Sequence, residues 1–113
     1  MEYLRRTLDD QLDEMMAVLP AIAIEGAKGV GKTATAKQRA RSVFSLDDEA
    51  TADIVAGNPA VVAGDEGTAF IDEWQLVPSV WNVVRRAVDD GAPPGRFLLA
   101  GSANPRPQAR IHS

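Results

Sequence analysis

The sequence predicts a single α/β domain in which helices cover both faces of a parallel sheet. Four short apolar segments alternate with longer segments whose apolar residues recur every three to four positions, as expected of strands and helices respectively. Parallel strands need crossover connections, which are usually helices. A chain of 113 residues is long enough for one such three-layer α/β/α domain but not for two.

The first half of the chain predicts a helix, a strand and a second helix. The first helix ends at Pro20, and residues 21–24, which are all apolar, predict a strand buried on both faces. Residues 32–43 contain neither glycine nor proline, which favours a helix. The apolar face of the first helix consists of Leu4, Leu8, Leu12, Met15 and Leu19. The residues of the second helix that lie in helical register are Ala36, Ala40 and Val43.

The second half continues the alternation. Further strands are expected over residues 43–46, 68–72 and 97–100. A short helix is expected over residues 49–56, and a longer one from Val80 to the glycine at position 91. Turns are expected where glycine, proline and asparagine cluster, at residues 57–59, 64–67 and 93–95. We expect no further element from Gly101 onward.

The composition argues against several classes of function. The chain has 16 acidic and 12 basic residues, a formal net charge of −4, unlike a protein that coats nucleic acid. It has no cysteine and one histidine, His112, which disfavours thiolate nucleophiles, cysteine metal sites and histidine triads. No segment approaches the ~20 apolar residues that span a bilayer, and the N-terminus has no apolar signal region. We expect a cytoplasmic protein without a membrane partner.

A glycine-rich segment after the first strand matches the Walker A pattern G-x-x-x-x-G-K-T. In such a loop backbone N–H groups converge on phosphate oxygens, Lys32 reaches the β- and γ-phosphates, and the Thr33 hydroxyl binds Mg²⁺. Lys28 occupies a free position of the pattern, where a solvated charge is favoured. The segment predicts an ATP site, and a plain glycine-rich turn is the alternative. Its residues are Gly26, Ala27, Lys28, Gly29, Val30, Gly31, Lys32 and Thr33.

Two adjacent carboxylates follow the third apolar strand, as in a Walker B motif. Ligands of α/β sheets bind beyond the carboxyl ends of the strands, so Asp72 and Glu73 are expected near the glycine-rich loop. Asp72 is then the expected Mg²⁺ ligand, and Glu73 is the expected general base that activates water. A strand that runs into an acidic turn has the same residue pattern, and this alternative stays open.

The order of these motifs resembles the AAA+ ATPases of the AAA-14 type over nearly the whole chain. The resemblance rests on the leading helix, the Walker A segment, residues 70–75 (FIDEWQ) and residues 97–102 (FLLAGS). It implies the strand order 5-1-4-3-2 and makes Ser102 the sensor-1 residue, with Asn104 as the alternative. A simple turn at Gly101 and Ser102 is the competing interpretation.

The resemblance also implies that the chain is one partial nucleotide-binding domain. Residues 1–20 are its leading helix, residues 103–113 its irregular tail, and neither a fifth strand nor a helical lid follows. The Walker A strand would then be an exposed edge, which favours association. The expected partners are therefore a second copy of the chain or the protein's own C-terminal domain.

Several polar and aromatic residues have less specific interpretations. Gln75 either supports the Glu73 carboxylate or caps the following loop. Trp74 and Trp81 are expected to pack, and the arginines at positions 85 and 86 are expected on a solvated helix face, so no arginine finger is assigned. The role of the acidic pair at positions 47 and 48 is open.

Together the motifs predict a module that binds Mg-ATP and hydrolyses it. The alternative is a nucleotide-dependent switch that does not hydrolyse ATP. A GTPase is disfavoured because the chain contains no Asn-Lys-x-Asp segment. A small-molecule kinase is less favoured because Glu73 beside Asp72 suits water activation.

Overall fold

The computed structural model describes residues 8–26 and 32–102. The α-helices are α1 (Leu8–Met16), α2 (Lys32–Arg39), α3 (Glu49–Gly57) and α4 (Val80–Asp89). The strands are β1 (Ala21–Gly26), β2 (Ser42–Ser45), β3 (Ala69–Asp72) and β4 (Phe97–Ser102). Two 3-10 helices, at Pro59–Ala63 and Trp74–Leu76, were not predicted. None of the described helices is long and apolar enough to cross a membrane.

The strands form one parallel sheet in the order β1-β4-β3-β2. This order agrees with the predicted α/β fold class and with the order that the family resemblance implies. Gly26 of β1 is paired with Ser102 of β4, and Asp72 of β3 is paired with both Ala100 of β4 and Ser45 of β2. Because all four described strands are parallel, their carboxyl ends lie along one edge of the sheet, with adjacent strands about 4.8 Å apart.

A separate apolar core covers each face of the sheet. Consecutive residues of a strand point to opposite faces, so Phe70 belongs to one core and Ile71 to the other. Leu98 and Leu99 of β4 divide in the same way. The first core contains residues of α1 and α2, and the second contains residues of α3, α4 and the first 3-10 helix. Burial of each large apolar side chain adds about 1.5–3 kcal/mol to the free energy of unfolding. The burial of apolar side chains therefore stabilises the packing of both helical layers on the sheet.

The predicted first helix is correct in type but wrong in its end. α1 ends at Met16, and Met15 and Leu19 are 39% and 43% exposed instead of facing the core. A residue before proline is disfavoured in helical conformation, and the Leu19 carbonyl accepts a hydrogen bond from the Gly95 N–H at 2.8 Å. The chain has therefore left the helix before it reaches Pro20.

Three other predicted features differ from the structure. α2 ends at Arg39, and Val43 lies in β2, where it is 42% exposed, because the N–H groups of Arg41 and Ser42 both donate to the Thr68 carbonyl and draw the chain into the sheet. β1 is not buried on both faces: Ala23 is exposed in this edge strand. β4 continues through Ser102, two residues beyond its predicted end, because it pairs with β1 up to that point.

Arg39 joins α1 to α2, a contact that the sequence pattern did not reveal. Its Nε and Nη2 atoms donate to the two carboxylate oxygens of Asp13 at 2.7 and 3.1 Å. A second ion pair joins Arg39 to Asp9 at 3.0 Å. The hydrogen bond from Arg39 lowers the pKa of Asp13 and raises the pKa of Arg39. The leading helix is thereby fixed to the helix that follows the Walker A segment.

Arg96 stabilises the amino end of the sheet, where the strands begin. Its guanidinium donates to the backbone carbonyls of Gly67 at 2.7 Å, Asp65 at 2.7 Å and Ala63 at 3.1 Å. It also lies over the Phe97 ring, 4.6 Å from the centroid. The loop before β3 is thus fixed directly to the start of β4.

Asp48 is the N-cap of α3. Its carboxylate accepts hydrogen bonds from the Thr51 hydroxyl at 2.8 Å and from the Thr51 N–H at 3.0 Å. The hydroxyl contact, followed by the backbone contact, lowers the pKa of Asp48. The structure therefore assigns a structural role to a residue whose role the sequence left open.

We predict that Asp48→Ala lowers the urea midpoint of unfolding, while Asp48→Asn, which retains an N-cap acceptor, lowers it less. Because the pKa of Asp48 is lower in the folded chain, the charged carboxylate stabilises the fold above the unfolded-state pKa. That contribution is lost as the pH falls through the folded-state pKa. The difference between wild type and Asp48→Asn should therefore disappear in acid, and a difference that does not change with pH would contradict this account.

Candidate functional site

Three of the predicted site residues, Gly26, Asp72 and Ser102, lie at the carboxyl edge of the sheet. β1 ends at Gly26 beside Ser102 of β4, and Asp72 ends β3. α2 begins at Lys32, so a strand precedes residues 27–31 and a helix follows them, as the Walker A pattern requires. The predicted phosphate-binding residues Ala27, Lys28, Gly29, Val30 and Gly31 lie outside the described residues. The same applies to Asn104 and His112 and to the side chains of Lys32 and Ser102.

Glu73 has a backbone conformation that side chains rarely adopt. Its φ of 56° and ψ of 46° are in the left-handed region, and it is the only non-glycine residue with positive φ among those the structure describes. Its side chain is 7% exposed. A buried carboxylate on strained backbone requires support from its surroundings, and such strain is concentrated at functional sites.

Gln75 supplies a hydrogen bond to this carboxylate. Its Nε2 donates to Glu73 Oε1 at 2.6 Å, so of the two interpretations that the sequence left open, the structure shows support of Glu73. Gln75 belongs to the second 3-10 helix, which lies over the end of β4. A Cβ atom built on Gly101 would lie 2.7 Å from Gln75 Oε1 and 3.6 Å from Trp74 Nε1.

The comparisons with known proteins identify the family of the chain. The AAA-14 family model, described as an AAA domain, matches residues 19–112. The chain belongs to this family of AAA domains. It is 30% identical over 105 residues to the uncharacterized protein Rv2008c of Mycobacterium tuberculosis and to the uncharacterized protein Mb2031c of Mycobacterium bovis.

These matches cover 89% of this AAA domain chain and 24% of each relative, so the chain spans about a quarter of their length. No solved structure matches the chain.

The donor set at the edge of this AAA domain suits a magnesium ion that is shared with phosphates. Thr33 in the first turn of α2 and Asp72 at the end of β3 are both partly buried and offer one hydroxyl and one carboxylate. Mg²⁺ is usually bound by one or two protein carboxylates together with waters and substrate phosphates. The described residues contain no group of three or more histidine, aspartate or glutamate side chains that would form a separate metal cage.

The other residues that the sequence singled out pack or face solvent. The rings of Trp74 and Trp81 are 5.1 Å apart, although Trp81 is 46% exposed. Arg86 is exposed, and Arg85 forms only an exposed pair with Asp89 at 3.9 Å. Both arginines thus lie on a solvated helix face, as expected.

We predict that glycine at position 73 gives a more stable fold than alanine, the reverse of the usual order within a helix or strand. Both substitutions remove the carboxylate, but only alanine keeps the Cβ that left-handed backbone disfavours, so Glu73→Gly should be more stable than Glu73→Ala by roughly 1 kcal/mol. At Asp72, whose backbone is extended, Asp72→Gly should be less stable than Asp72→Ala by about 0.5–1 kcal/mol. Urea unfolding of the four variants measures both differences. The same order at both positions would show that residue 73 is not strained.

Proposed function

We propose that this AAA domain binds ATP with Mg²⁺ and hydrolyses it to ADP and phosphate. The observation that carries the proposal is the buried Glu73 carboxylate, fixed at the edge of the sheet beside Asp72 and supported by Gln75. Membership in the AAA domain family supports a nucleotide as the ligand. The strand and helix that flank residues 27–31 support the Walker A segment as its site.

Phosphate binding is assigned to the Walker A segment, Gly26 to Thr33. The backbone N–H groups at the start of α2 have no partner within the helix and carry partial positive charge, which favours a polyphosphate. Lys32, the first residue of α2, is proposed to neutralise the β- and γ-phosphates. Thr33 and Asp72 would hold Mg²⁺, which supplies a positive charge that stabilises the transferring phosphoryl group.

Glu73 is proposed as the general base. Its carboxylate accepts a proton from a water molecule whose oxygen attacks the γ-phosphorus, while the bond to the β,γ-bridging oxygen breaks and ADP leaves. Burial keeps bulk water away from the carboxylate, and the hydrogen bond from Gln75 fixes its orientation. Ser102, paired with Gly26 across the sheet, is proposed to contact the γ-phosphate or the attacking water.

The domain is further proposed to act as part of a larger assembly. The chain spans about a quarter of the length of the mycobacterial relatives, and β1 is an edge of the described sheet. A further region of the same protein or a second copy is the proposed partner, and either is a candidate source of an arginine near the γ-phosphate. Such an arginine raises the rate of phosphoryl transfer by about 10³–10⁵.

We predict that saturating Mg-ATP raises the thermal midpoint of the chain. A ligand at 100 times its Kd adds about 2.7 kcal/mol to the free energy of unfolding. Lys32→Ala should abolish most of the rise, whereas Lys37→Ala, which changes an exposed lysine of the same helix, should preserve it. A cooperative melt that is indifferent to Mg-ATP would contradict nucleotide binding.

We predict that Glu73→Gln lowers ATP turnover by about 10²–10⁴ and leaves the Kd for ATP largely unchanged, because the amide cannot accept the proton. Glu66→Gln, which neutralises an exposed carboxylate far from the carboxyl edge, is the matched control. Phosphate release and nucleotide titration measure the two quantities. If wild type binds ATP but turns it over no faster than Glu73→Gln, the non-hydrolysing switch is the correct alternative.

A further inference from the structure

The two polar atoms of the Gln75 side-chain amide face different elements. Nε2 donates to Glu73 Oε1 at 2.6 Å. Oε1 is buried and has no hydrogen-bond partner in the part of the chain that the structure describes. This oxygen lies against the end of β4, since a Cβ on Gly101 would approach it to 2.7 Å.

This orientation of the amide is dictated by the carboxylate. An ionised carboxylate only accepts hydrogen bonds, so the NH₂ group of Gln75 must face Glu73 and the oxygen must turn toward β4. A buried acceptor without a partner is unfavourable. The amide therefore keeps an orientation that favours Glu73 at a local cost in stability, as expected of a residue that serves a site.

Gly101 provides the space for this orientation. Its φ is not in the positive range, so the backbone conformation itself does not require glycine. The atom nearest to an added Cβ is the far end of the flexible Gln75 side chain. An alanine at position 101 would therefore displace the Gln75 amide before it displaced any backbone.

We propose that Gln75 is a positioning residue that orients the Glu73 carboxylate, and that the end of β4 at Gly101 sets the place of Gln75. This inference rests on the proposed function, because the carboxylate that Gln75 orients is the proposed general base. It links two elements of the site through one side chain: the strand that ends in Ser102 and the acidic pair at the end of β3. A shift of the end of β4 is thereby transmitted to Glu73 through the Gln75 side chain.

The first test is Gln75→Met in the full chain. Methionine has nearly the same length and volume but no amide donor. We expect kcat to fall about tenfold to hundredfold, as for other residues that orient a catalytic group, while the Kd for ATP changes by less than about twofold. The thermal midpoint should change little, because the loss of the hydrogen bond to Glu73 is offset by the removal of the unpartnered oxygen. A residue with a merely structural role would instead lower the midpoint. Gln11→Met, at an exposed position of α1, is the matched control.

The second test is Gly101→Ala, alone and combined with Gln75→Met. The single variant should lower kcat to a similar extent, and the double variant should be no slower than the slower single variant, since both act on the same contact. Effects on kcat that multiply in the double variant, or a loss of ATP affinity in Gln75→Met, would overturn the proposal.

A spectroscopic readout separates this inference from the proposed function. The side-chain NH₂ signal of Gln75 in ¹⁵N-labelled protein, assigned by its absence in Gln75→Met, should move in both Glu73→Gln and Gly101→Ala. If wild type has no turnover above Glu73→Gln, the proposed function fails and the positioning role fails with it. If turnover is present but the NH₂ signal does not shift in Gly101→Ala, only the proposed influence of β4 on Gln75 is wrong.

Discussion

The pairing of β1 with β4 is the constraint on which the rest of the site depends. It places the end of the Walker A strand next to the end of the strand that carries Ser102, and the pairing of β4 with β3 then brings Asp72 to the same edge. Gly26 and Ser102 are 76 positions apart in the sequence, and only the parallel register makes them neighbours. The strand order thus determines which side chains can act together at this edge.

The two ends of the sheet have different physical characters. At the end where the strands begin, Arg96 and Thr68 satisfy backbone carbonyls of the adjoining loops. At the other end, Glu73 is strained and Gln75 has an unsatisfied acceptor. The cores on both faces of the sheet lie between these ends and stabilise it enough to maintain the strain.

Sequence pattern was sufficient for the elements that obey simple periodicity. The α/β class, the parallel sheet and the type of every described α-helix and strand followed from apolar spacing and from the positions of glycine and proline. Boundaries failed where a long-range backbone contact decides them: the Thr68 carbonyl starts β2 early, and β4 is extended by its pairing with β1. Leu19 fits a helical period that α1, which ends at Met16, does not complete.

The candidate site shows the same division. The acidic pair and the glycine-rich segment are recognisable because the residue types and spacing of such motifs are dictated by chemistry. The contact between Gln75 and Glu73 depends on a left-handed residue and on a short 3-10 helix, and neither leaves a periodic trace in the sequence. The sequence left the role of Asp48 open, and only the contact of its carboxylate with Thr51 identifies it as a helix cap.

The left-handed backbone of Glu73 affects which substitutions evolution can accept at this position. Glutamate and glycine codons differ by a single base, and glycine is the residue that this backbone accommodates most easily. In a lineage released from selection for the carboxylate, selection for folding alone would favour that exchange. Among homologues of this chain, the amino acid at this one position therefore records whether the carboxylate is still in use.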